Sequence, residues 1–247
     1  MIEKIKIDAY RLQQDSTKIG MQIIHSGFDP EYCVMVATGG AQVFPYVVRA
    51  LNRNRKLRSC DPEKYSEGFF KASSYNDMNQ GEIIRIRHMD SLMNDIRESG
   101  SKRIVVVDEI TDTQRTRDFT EHVFMKGLSR RDSVKSFDIQ SRPDKKRYIF
   151  SMDHGMREYL AEIILGSDIE PIQNCDIRFA TPYWKENAKN RVRSDAPDFY
   201  VGPSLMPDGE GNHKWLVFPS EYDDFPDDAD LANNFPEVAH IILDKKA

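Results

Sequence analysis

The sequence predicts an α/β fold with a doubly wound, mainly parallel sheet. Short apolar runs rich in β-branched residues alternate with segments whose apolar residues recur every three or four positions. The first pattern is typical of strands buried on both faces, and the second of amphipathic helices. Their alternation favours a parallel sheet covered by helices on both sides. At 247 residues the chain is long enough for one elaborated domain.

Elements of the first half follow one another in a regular order. Gly100 is expected to close a short helix that Asp90 caps, and Pro45 fits the first turn of a longer helix, where its missing N–H costs little. The expected elements are a helix at 8–25, a strand at 33–37, a helix through 43–51, strands at 69–74 and 82–86, a helix at 90–99, a strand at 103–108 and a helix through 119–128.

The second half is less regular. Residues 129–150 are rich in Arg, Lys, Asp and Ser, and we interpret them as an insertion outside the core, followed by a helical pattern at 156–165. Such a charged segment is most often a solvated face, and an interface or an anion site is the alternative. Strands are expected at 176–180, 198–201 and 215–218. The predicted division is a core of residues 1–125 and 174–205, an insertion with a helix at 126–173, and a small C-terminal hood and tail at 206–247.

Composition narrows the classes of function. The net charge of −5 argues against general nucleic-acid binding. No apolar run approaches the roughly 20 residues that a membrane helix needs, and the first residues lack the apolar region of a secretory signal. We therefore expect a cytoplasmic protein with neither a membrane nor a nucleic acid as partner. The cysteines lie far apart and indicate neither a disulfide framework nor a zinc site: Cys33, Cys60 and Cys175.

The segment most informative about function joins a buried strand to a helix. The strand ends in two adjacent carboxylates, Asp108 and Glu109, and a hydroxyl-rich turn follows. Backbone N–H groups of the turn and of the helix start attract a phosphate, and Thr111, Thr113 and Thr116 can add hydroxyl donors. The carboxylates can hold ribose hydroxyls directly or through a hard metal ion. A capping loop with solvated acids is the alternative, and the residues alone favour neither.

This segment resembles the motif with which type I phosphoribosyltransferases bind phosphoribosyl pyrophosphate (PRPP). In that family four apolar residues, two acids and two further residues precede Asp-Thr-x-x-Thr. The resemblance implies that Asp108 and Glu109 hold the ribose hydroxyls of PRPP and its Mg²⁺. It implies that Asp112 is the catalytic acid–base group beside N7 of a purine. The residues implied to bind the 5′-phosphate are Thr111, Thr113, Gln114, Arg115 and Thr116. Gln114 departs from the pattern, since many members have glycine there.

Other segments resemble the same family, in the family's order. Thr38, Gly39 and Gly40 stand where the family has its pyrophosphate loop, although many members carry a basic residue in place of Thr38. Ser74 and Tyr75 resemble part of the mobile lid, which would exclude water during the reaction. An ordinary tight turn and a polar hairpin are the alternatives for these two segments.

The C-terminal segments resemble the base-binding part of the purine branch. Lys185 follows an aromatic strand, as does the lysine that contacts the exocyclic oxygen of a 6-oxopurine. Trp215 and Leu216 match the segment in which an aromatic residue stacks on the base and backbone groups read its edge. A solvent-facing lysine and a core tryptophan are the alternatives.

Together these segments imply a purine-type phosphoribosyltransferase of purine salvage. Such an enzyme transfers the 5-phosphoribosyl group of PRPP to hypoxanthine, guanine or xanthine, with Mg²⁺ bound beside PRPP. The alternative that Gln114 and Thr38 leave open is a non-catalytic relative that senses PRPP or a nucleotide and regulates a partner. A kinase or hydrolase on another doubly wound fold lacks support, because the corresponding phosphate-loop and nucleophile motifs are absent from the sequence. Relatives are often dimers or tetramers, which leaves a homodimer or a homotetramer open.

Overall fold

A computed structural model describes residues 4–37, 39–58, 65–76, 79–111, 114–140, 144–154, 157–185, 196–201 and 215–218, together with 229, 232, 233, 236, 239 and 240. The helices in these ranges are α1 (Ala9–Ser26), α2 (Phe44–Arg58), α3 (Met89–Ser99) and α4 (Arg115–Lys126). The strands are β1 (Lys4–Lys6), β2 (Tyr32–Ala37), β3 (Ser66–Asn76), β4 (Asn79–Arg87), β5 (Arg103–Val107), β6 (Ile110–Thr111), β7 (Lys135–Asp138), β8 (Lys146–His154), β9 (Arg157–Leu165), β10 (Asp176–Thr181), β11 (Tyr183–Trp184), β12 (Phe199–Tyr200) and β13 (Trp215–Val217).

Nine of these strands form one mainly parallel sheet in the order β12-β10-β5-β2-β3-β4-β9-β8-β7. The five strands from β12 to β3 are parallel to one another, and β4 is parallel to β9. The β3–β4, β9–β8 and β8–β7 pairs are antiparallel. Two small parallel pairs, β1–β13 and β6–β11, lie outside this sheet. The predicted α/β class is confirmed.

Helices cover both faces of the sheet. Val105 and Val107 of β5 pack in one core cluster with side chains of α1 and α2. Ile104 and Val106 pack in the other cluster with side chains of α3 and α4. Because successive side chains of a strand point to opposite faces, a continuous apolar run is what a strand buried on both sides requires. The doubly wound arrangement is therefore also confirmed.

Local signals set the ends of the helices close to the expected positions. The side chain of Asp8 accepts a hydrogen bond of 2.8 Å from a backbone N–H in the first turn of α1. Gly100 ends α3 in the left-handed conformation, at a φ of 70°. Asp90 lies within the first turn of α3 and not at its cap, because His88 takes the cap position. The charge of Asp90 still favours the start of the helix.

The segment 126–173 differs from its prediction. The helix expected at 156–165 is instead strand β9, which pairs with β4 on one side and β8 on the other. Glu162 of β9 accepts a hydrogen bond of 2.8 Å from the Arg87 guanidinium of β4. Tyr148, Phe150 and Met152 of β8 are buried in the cluster that contains α3 and α4, so this segment is not outside the core. Short apolar runs fit a helix and a strand equally well, and here the free edge of β4 decides the outcome.

The direction of the strands brings several chain segments to one edge of the sheet. Parallel strands β2, β5 and β10 all end there, and β3 ends and β4 begins at the same edge. Because β9 is parallel to β4, with Ile83 opposite Leu160, the start of β9 lies beside the start of β4. We call this edge, at the carboxyl ends of β2, β5 and β10, the site edge. In open α/β sheets it is the usual place for a ligand.

Candidate functional site

The two predicted acids lie at the site edge, directly after β5. The N–H of Asp108 donates a hydrogen bond of 3.1 Å to the carbonyl of Ala180 in β10. The N–H of Glu109 donates one of 2.9 Å to Oδ1 of Asp108. Since the four preceding residues are fully buried apolar side chains, the backbone that presents the acids is firmly held. The sequence prediction of an acid pair at a strand end is confirmed.

The glycines that follow β2 contact this acid pair. A Cβ atom on Gly39 would overlap the carboxyl carbon and both carboxyl oxygens of Glu109. A Cβ atom on Gly40 would lie 2.8 Å from the carbonyl oxygen of Val107. Both positions therefore need glycine to let the loop approach the end of β5. The predicted pyrophosphate loop and the predicted ribose-binding acids are thus adjacent, while Thr38 lies outside the described residues.

Lys185 lies near the acid pair, because it follows β11, which pairs with β6 directly after the acids. β11 pairs with β6, with Trp184 opposite Thr111, and the N–H of Lys185 then donates a hydrogen bond of 2.9 Å to the Thr111 carbonyl. Lys185 is buried, and its positive charge lowers the pKa of Glu109. The lysine that the sequence assigns to the base is therefore close enough to act electrostatically on the acid pair.

The surroundings of the acid pair raise the pKa of both carboxyl groups. Burial raises the pKa of the Glu109 carboxyl well above its usual range, the charge of Asp108 raises it further, and Lys185 opposes both. Burial also raises the pKa of Asp108, against hydrogen bonds with Glu109 that lower it. Among the described residues, Oε2 of Glu109 is buried and has no hydrogen-bond partner. A buried acceptor of this kind is suited to a ligand hydroxyl or a cation.

The turn that leads into α4 contains a residue in an unusual backbone conformation. Gln114 has a φ of 68° and a ψ of −9°, and its side chain is buried. Its carbonyl accepts a hydrogen bond of 2.8 Å from the N–H of Asp118, the first such bond of the helix. Left-handed backbone costs a residue with a Cβ about 1–2 kcal/mol, whereas glycine adopts it freely. Gln114 thus has a backbone conformation that suits glycine.

The other residues assigned to the 5′-phosphate have separate surroundings. Arg115 lies in the first turn of α4, with Cζ of its guanidinium 6.0 Å from the centre of the Tyr159 ring. Thr116 is half-buried in the same turn, where backbone N–H groups lack helical partners and favour anions. The hydroxyl of Thr111 donates a hydrogen bond of 3.2 Å to that of Thr181, so its proton is directed to β10. Phosphate binding by these residues stays a prediction.

The remaining predicted site residues belong to the turn before α4, the lid and the base-binding segment. Asp112 and Thr113 lie outside the described residues. Ser74 and Tyr75 belong to strand β3, next to an irregularity in its pairing with β4, and not to a loop. Trp215 belongs to β13 and pairs with β1. Their lid and stacking roles therefore stay predictions.

Leu216 is buried in the cluster packed around α1 and α2. It lines a cavity of about 470 Å³ between α1, β1 and β13. Tyr183 lines the same cavity, and its hydroxyl donates a hydrogen bond of 3.1 Å to the buried carboxylate of Asp15. Contact of Leu216 with a base stays a prediction.

One residue next to the site was missed by sequence reasoning. Tyr159 of β9 contacts Arg115 at the start of α4, although it belongs to the segment interpreted as an insertion. Its hydroxyl is buried and has no hydrogen-bond partner among the described residues. No local signal marks it, because only the pairing of β9 with β4 brings it to α4.

The donor set is compatible with Mg²⁺. No group of three or more His, Cys, Asp or Glu side chains forms a metal cluster within the part of the chain that the structure describes. Mg²⁺ commonly binds one or two protein carboxylates and completes its shell with water and substrate oxygens. Asp108 and Glu109 supply carboxylate oxygens of this kind.

Of the described helices, none has the length and apolar character needed to cross a bilayer.

Comparison with known proteins finds likeness of fold without likeness of sequence. No protein-family model and no curated protein matches the sequence. The fold is similar to that of a hypothetical protein from Neisseria gonorrhoeae solved with bound ppGpp, with a TM-score of 0.51, 13% sequence identity, and coverage of 95% of this chain and 96% of that chain.

Two further solved structures have lower scores. A purine phosphoribosyltransferase from Pyrococcus horikoshii has a TM-score of 0.47 and 14% identity, covering 92% of this chain and 97% of that chain. The xanthine-guanine-hypoxanthine phosphoribosyltransferase of Helicobacter pylori has a TM-score of 0.46 and 14% identity, covering 90% and 95%. At 13% identity, the likeness to the gonococcal protein shows a similar fold alone.

Proposed function

We propose that this protein is a purine-type phosphoribosyltransferase, which transfers the 5-phosphoribosyl group of PRPP to a base and releases pyrophosphate. The observation that carries the proposal is the convergence of four distant segments at the site edge. These are the acid pair after β5, the glycine loop after β2, the start of α4 and Lys185. Each offers a different kind of contact that a phosphorylated ribose needs.

Binding of PRPP would use the acid pair and the start of α4 together. Asp108 and Glu109 would accept hydrogen bonds from the ribose hydroxyls, which gives the buried oxygen of Glu109 a partner. The N–H groups of the turn and of the first turn of α4 would hold the 5′-phosphate. Gly39 and Gly40 would let backbone N–H groups approach the pyrophosphate. These contacts fix the orientation of the ribose C1 before reaction.

Mg²⁺ would be held by Asp108 and Glu109 together with oxygens of PRPP. When bound, it would offset the negative charge on the departing pyrophosphate. Lys185 favours the ionised form of Glu109, which is the form that a cation requires. Burial raises the pKa of Glu109, and a cation held here would favour its ionised form.

The base would approach the ribose C1 from the side of Lys185, Trp215 and Leu216. Its N9 forms a bond to C1 as the bond from C1 to the pyrophosphate oxygen breaks, and the base gives up one proton. Asp112 would accept this proton near N7, a role worth about 10²–10⁴-fold in rate. The ammonium of Lys185 would favour a base with a carbonyl oxygen at position 6. A role in purine salvage, and assembly as a homodimer or homotetramer, belong to the same proposal.

Release of pyrophosphate tests the proposal directly. The protein is incubated with Mg²⁺, PRPP and, in separate reactions, hypoxanthine, guanine, xanthine, adenine or uracil. We expect release with at least one 6-oxopurine, and its loss in Glu109→Gln. Asp138→Asn, which alters an exposed acid of β7, is the matched control and should behave as wild type. If no base supports release by the wild type, the protein is not a transferase of this class.

A second candidate is a non-catalytic protein that senses PRPP or a nucleotide and regulates a partner. The similarity of fold to a gonococcal protein solved with bound ppGpp supports this second candidate. Equilibrium binding of PRPP and of ppGpp, measured beside the base panel, separates the two candidates. Tight binding of either compound without pyrophosphate release from any base would favour the sensor.

A further inference from the structure

Tyr159 is the residue through which inserted strand β9 reaches the start of α4. Its side chain is 4% exposed, and its hydroxyl is buried without a hydrogen-bond partner among the described residues. Leaving a buried hydroxyl unbonded destabilises a folded protein, so natural structures rarely do so without a reason. Tyr148, also buried and on neighbouring strand β8, interacts through its side chain with Arg130. The contrast makes the hydroxyl of Tyr159 a donor available to a ligand.

Among the described side chains, the charged groups that act on this hydroxyl belong to the first two turns of α4. Arg115 lies over the Tyr159 ring, and Asp118 and Glu121 lie near enough to influence the hydroxyl. Burial raises the pKa of Tyr159, as do the two acids, while Arg115 opposes them. The hydroxyl therefore keeps its proton and can donate. An anion held here would be repelled by Asp118, and Arg115 supplies the charge that offsets this repulsion.

The topology gives the contact a position relative to the proposed site. β9 begins at the site edge, beside the β3–β4 hairpin, and Tyr159 is its third residue. Arg115 is the first residue of α4 and follows directly after Gln114. A phosphate bound by the N–H groups of the first turn of α4 would thus lie at the same end of the helix as Arg115 and Tyr159.

We propose that Tyr159 is a further binding residue of this site, whose hydroxyl donates to the phosphate group held at the start of α4, beside the guanidinium of Arg115. The 126–173 segment would then form one wall of the ligand site and not a solvated appendage. The inference rests on the proposed function for the nature of the ligand, a phosphate ester of ribose. The anion site itself depends only on α4 and β9.

Binding of two simple probes tests the inference without requiring turnover. Inorganic phosphate and ribose 5-phosphate are titrated by calorimetry into wild type, Tyr159→Phe and Tyr148→Phe, and thermal unfolding of each protein is recorded without ligand. Phenylalanine removes only the hydroxyl in both variants. Tyr148 of β8 lies opposite Ile163, which is four positions further along β9 than Tyr159. Tyr148→Phe is therefore the matched control.

We expect Tyr159→Phe to bind both probes about tenfold more weakly, since a hydrogen bond to a charged oxygen is lost. The same variant should unfold at the same or a higher temperature, because an unbonded buried hydroxyl has been removed. Tyr148→Phe should bind as wild type does. A hydroxyl with a merely structural role would give the reverse, a lower unfolding temperature with unchanged affinity.

The outcomes separate this inference from the proposed function. Equal affinity of Tyr159→Phe and wild type overturns the inference and leaves the transferase proposal intact. Weaker binding by Tyr159→Phe, in a protein that releases no pyrophosphate with any base, supports the inference and overturns the transferase proposal. If the wild type binds neither probe, there is no anion site at the start of α4 and the inference is wrong.

Discussion

The carboxyl group of Glu109 fills the space beside Gly39 that any side chain at that position would need. Gly39 follows β2, Glu109 follows β5, and these two strands are neighbours in the sheet. The contact therefore fixes how closely the loop after β2 approaches the acid pair. In the proposed reaction it would also set the distance between the loop that binds the pyrophosphate and the acids that bind the ribose of the same PRPP molecule.

Gly39→Ala should displace the carboxyl of Glu109 and impair PRPP binding. Misplacing a reacting group by about 1 Å can cost on the order of 100-fold in rate, and we expect a loss of this order in pyrophosphate release. Gly166→Ala is the matched control, because the nearest atom to a Cβ at Gly166 lies 3.5 Å away, an ordinary contact. Equal activity of Gly39→Ala and wild type would show that Glu109 does not need its present position.

Lys185→Met should alter the titration of the acid pair. The ammonium lowers the pKa of Glu109, so its removal should raise that pKa further and favour the protonated carboxyl. Since ligand binding needs the ionised form, the pH at which Mg²⁺ and PRPP bind half-maximally should move upward. Calorimetric titration of PRPP in the presence of Mg²⁺ measures this shift. The titrations run from about pH 5.5 to about pH 9, because the raised pKa values of buried carboxyl groups fall in roughly this range. Lys126→Met, at the far end of α4, should leave the profile unchanged.

Glu109→Gln should make the protein more stable at neutral pH. A carboxyl whose pKa is higher in the folded than in the unfolded state binds more protons when folded, so stability falls as pH rises above the ordinary glutamate value of 4.5. Each unit by which the pKa is raised costs about 1.4 kcal/mol at a pH above both values. Glutamine cannot ionise and removes this cost.

Urea unfolding at several pH values measures the effect. The free energy of unfolding of Glu109→Gln should exceed that of wild type at pH 7, and the two curves should converge towards pH 4 to 5, around the unfolded pKa. Addition of Mg²⁺ and PRPP should stabilise wild type and not the variant. A variant that is less stable than wild type at pH 7 would contradict a raised pKa.

Asp112→Asn should separate binding from chemistry. Asparagine keeps the size of the side chain but cannot accept the proton of the base, so PRPP affinity should stay near that of wild type. Turnover should fall by about 10²–10⁴-fold. Equilibrium binding of PRPP and single-turnover pyrophosphate release, measured on the same preparation, test both halves. Normal turnover would remove Asp112 from the proposed mechanism.

Much of the fold followed from the sequence wherever the signal was local. The buried run of β5, the side chain of Asp8 before α1 and Gly100 after α3 each specify an element through a few neighbouring residues. The acid pair was predictable for the same reason, because its position after a buried strand fixes where the carboxylates emerge. The convergence with Lys185 followed from the family resemblance, which supplied the order of the segments.

The parts that could not be predicted depend on distant pairing. Residues 157–165 contain apolar side chains at both helical and strand spacing, and strand β9 forms because β4 offers a free edge. The ion pair that accompanies this pairing joins Arg87 and Glu162, which are 75 positions apart. Tyr159 reaches Arg115 only as a consequence of the same pairing. Local propensity carries no information about such contacts.

Gln114 offers a test of how its turn tolerates a side chain. Its φ of 68° is unfavourable for any residue with a Cβ, so Gln114→Gly and Gln114→Ala should differ although both remove the same buried side chain. We expect the glycine variant to be more stable than the alanine variant by about 1 kcal/mol, because glycine adopts this conformation freely. In the middle of a helix the order would be reversed, since glycine there is less stable than alanine by about 1 kcal/mol. Urea unfolding of the two variants measures the difference. A more stable alanine variant would mean that residue 114 leaves the left-handed conformation, and the start of α4 would then lose the geometry on which the phosphate site depends.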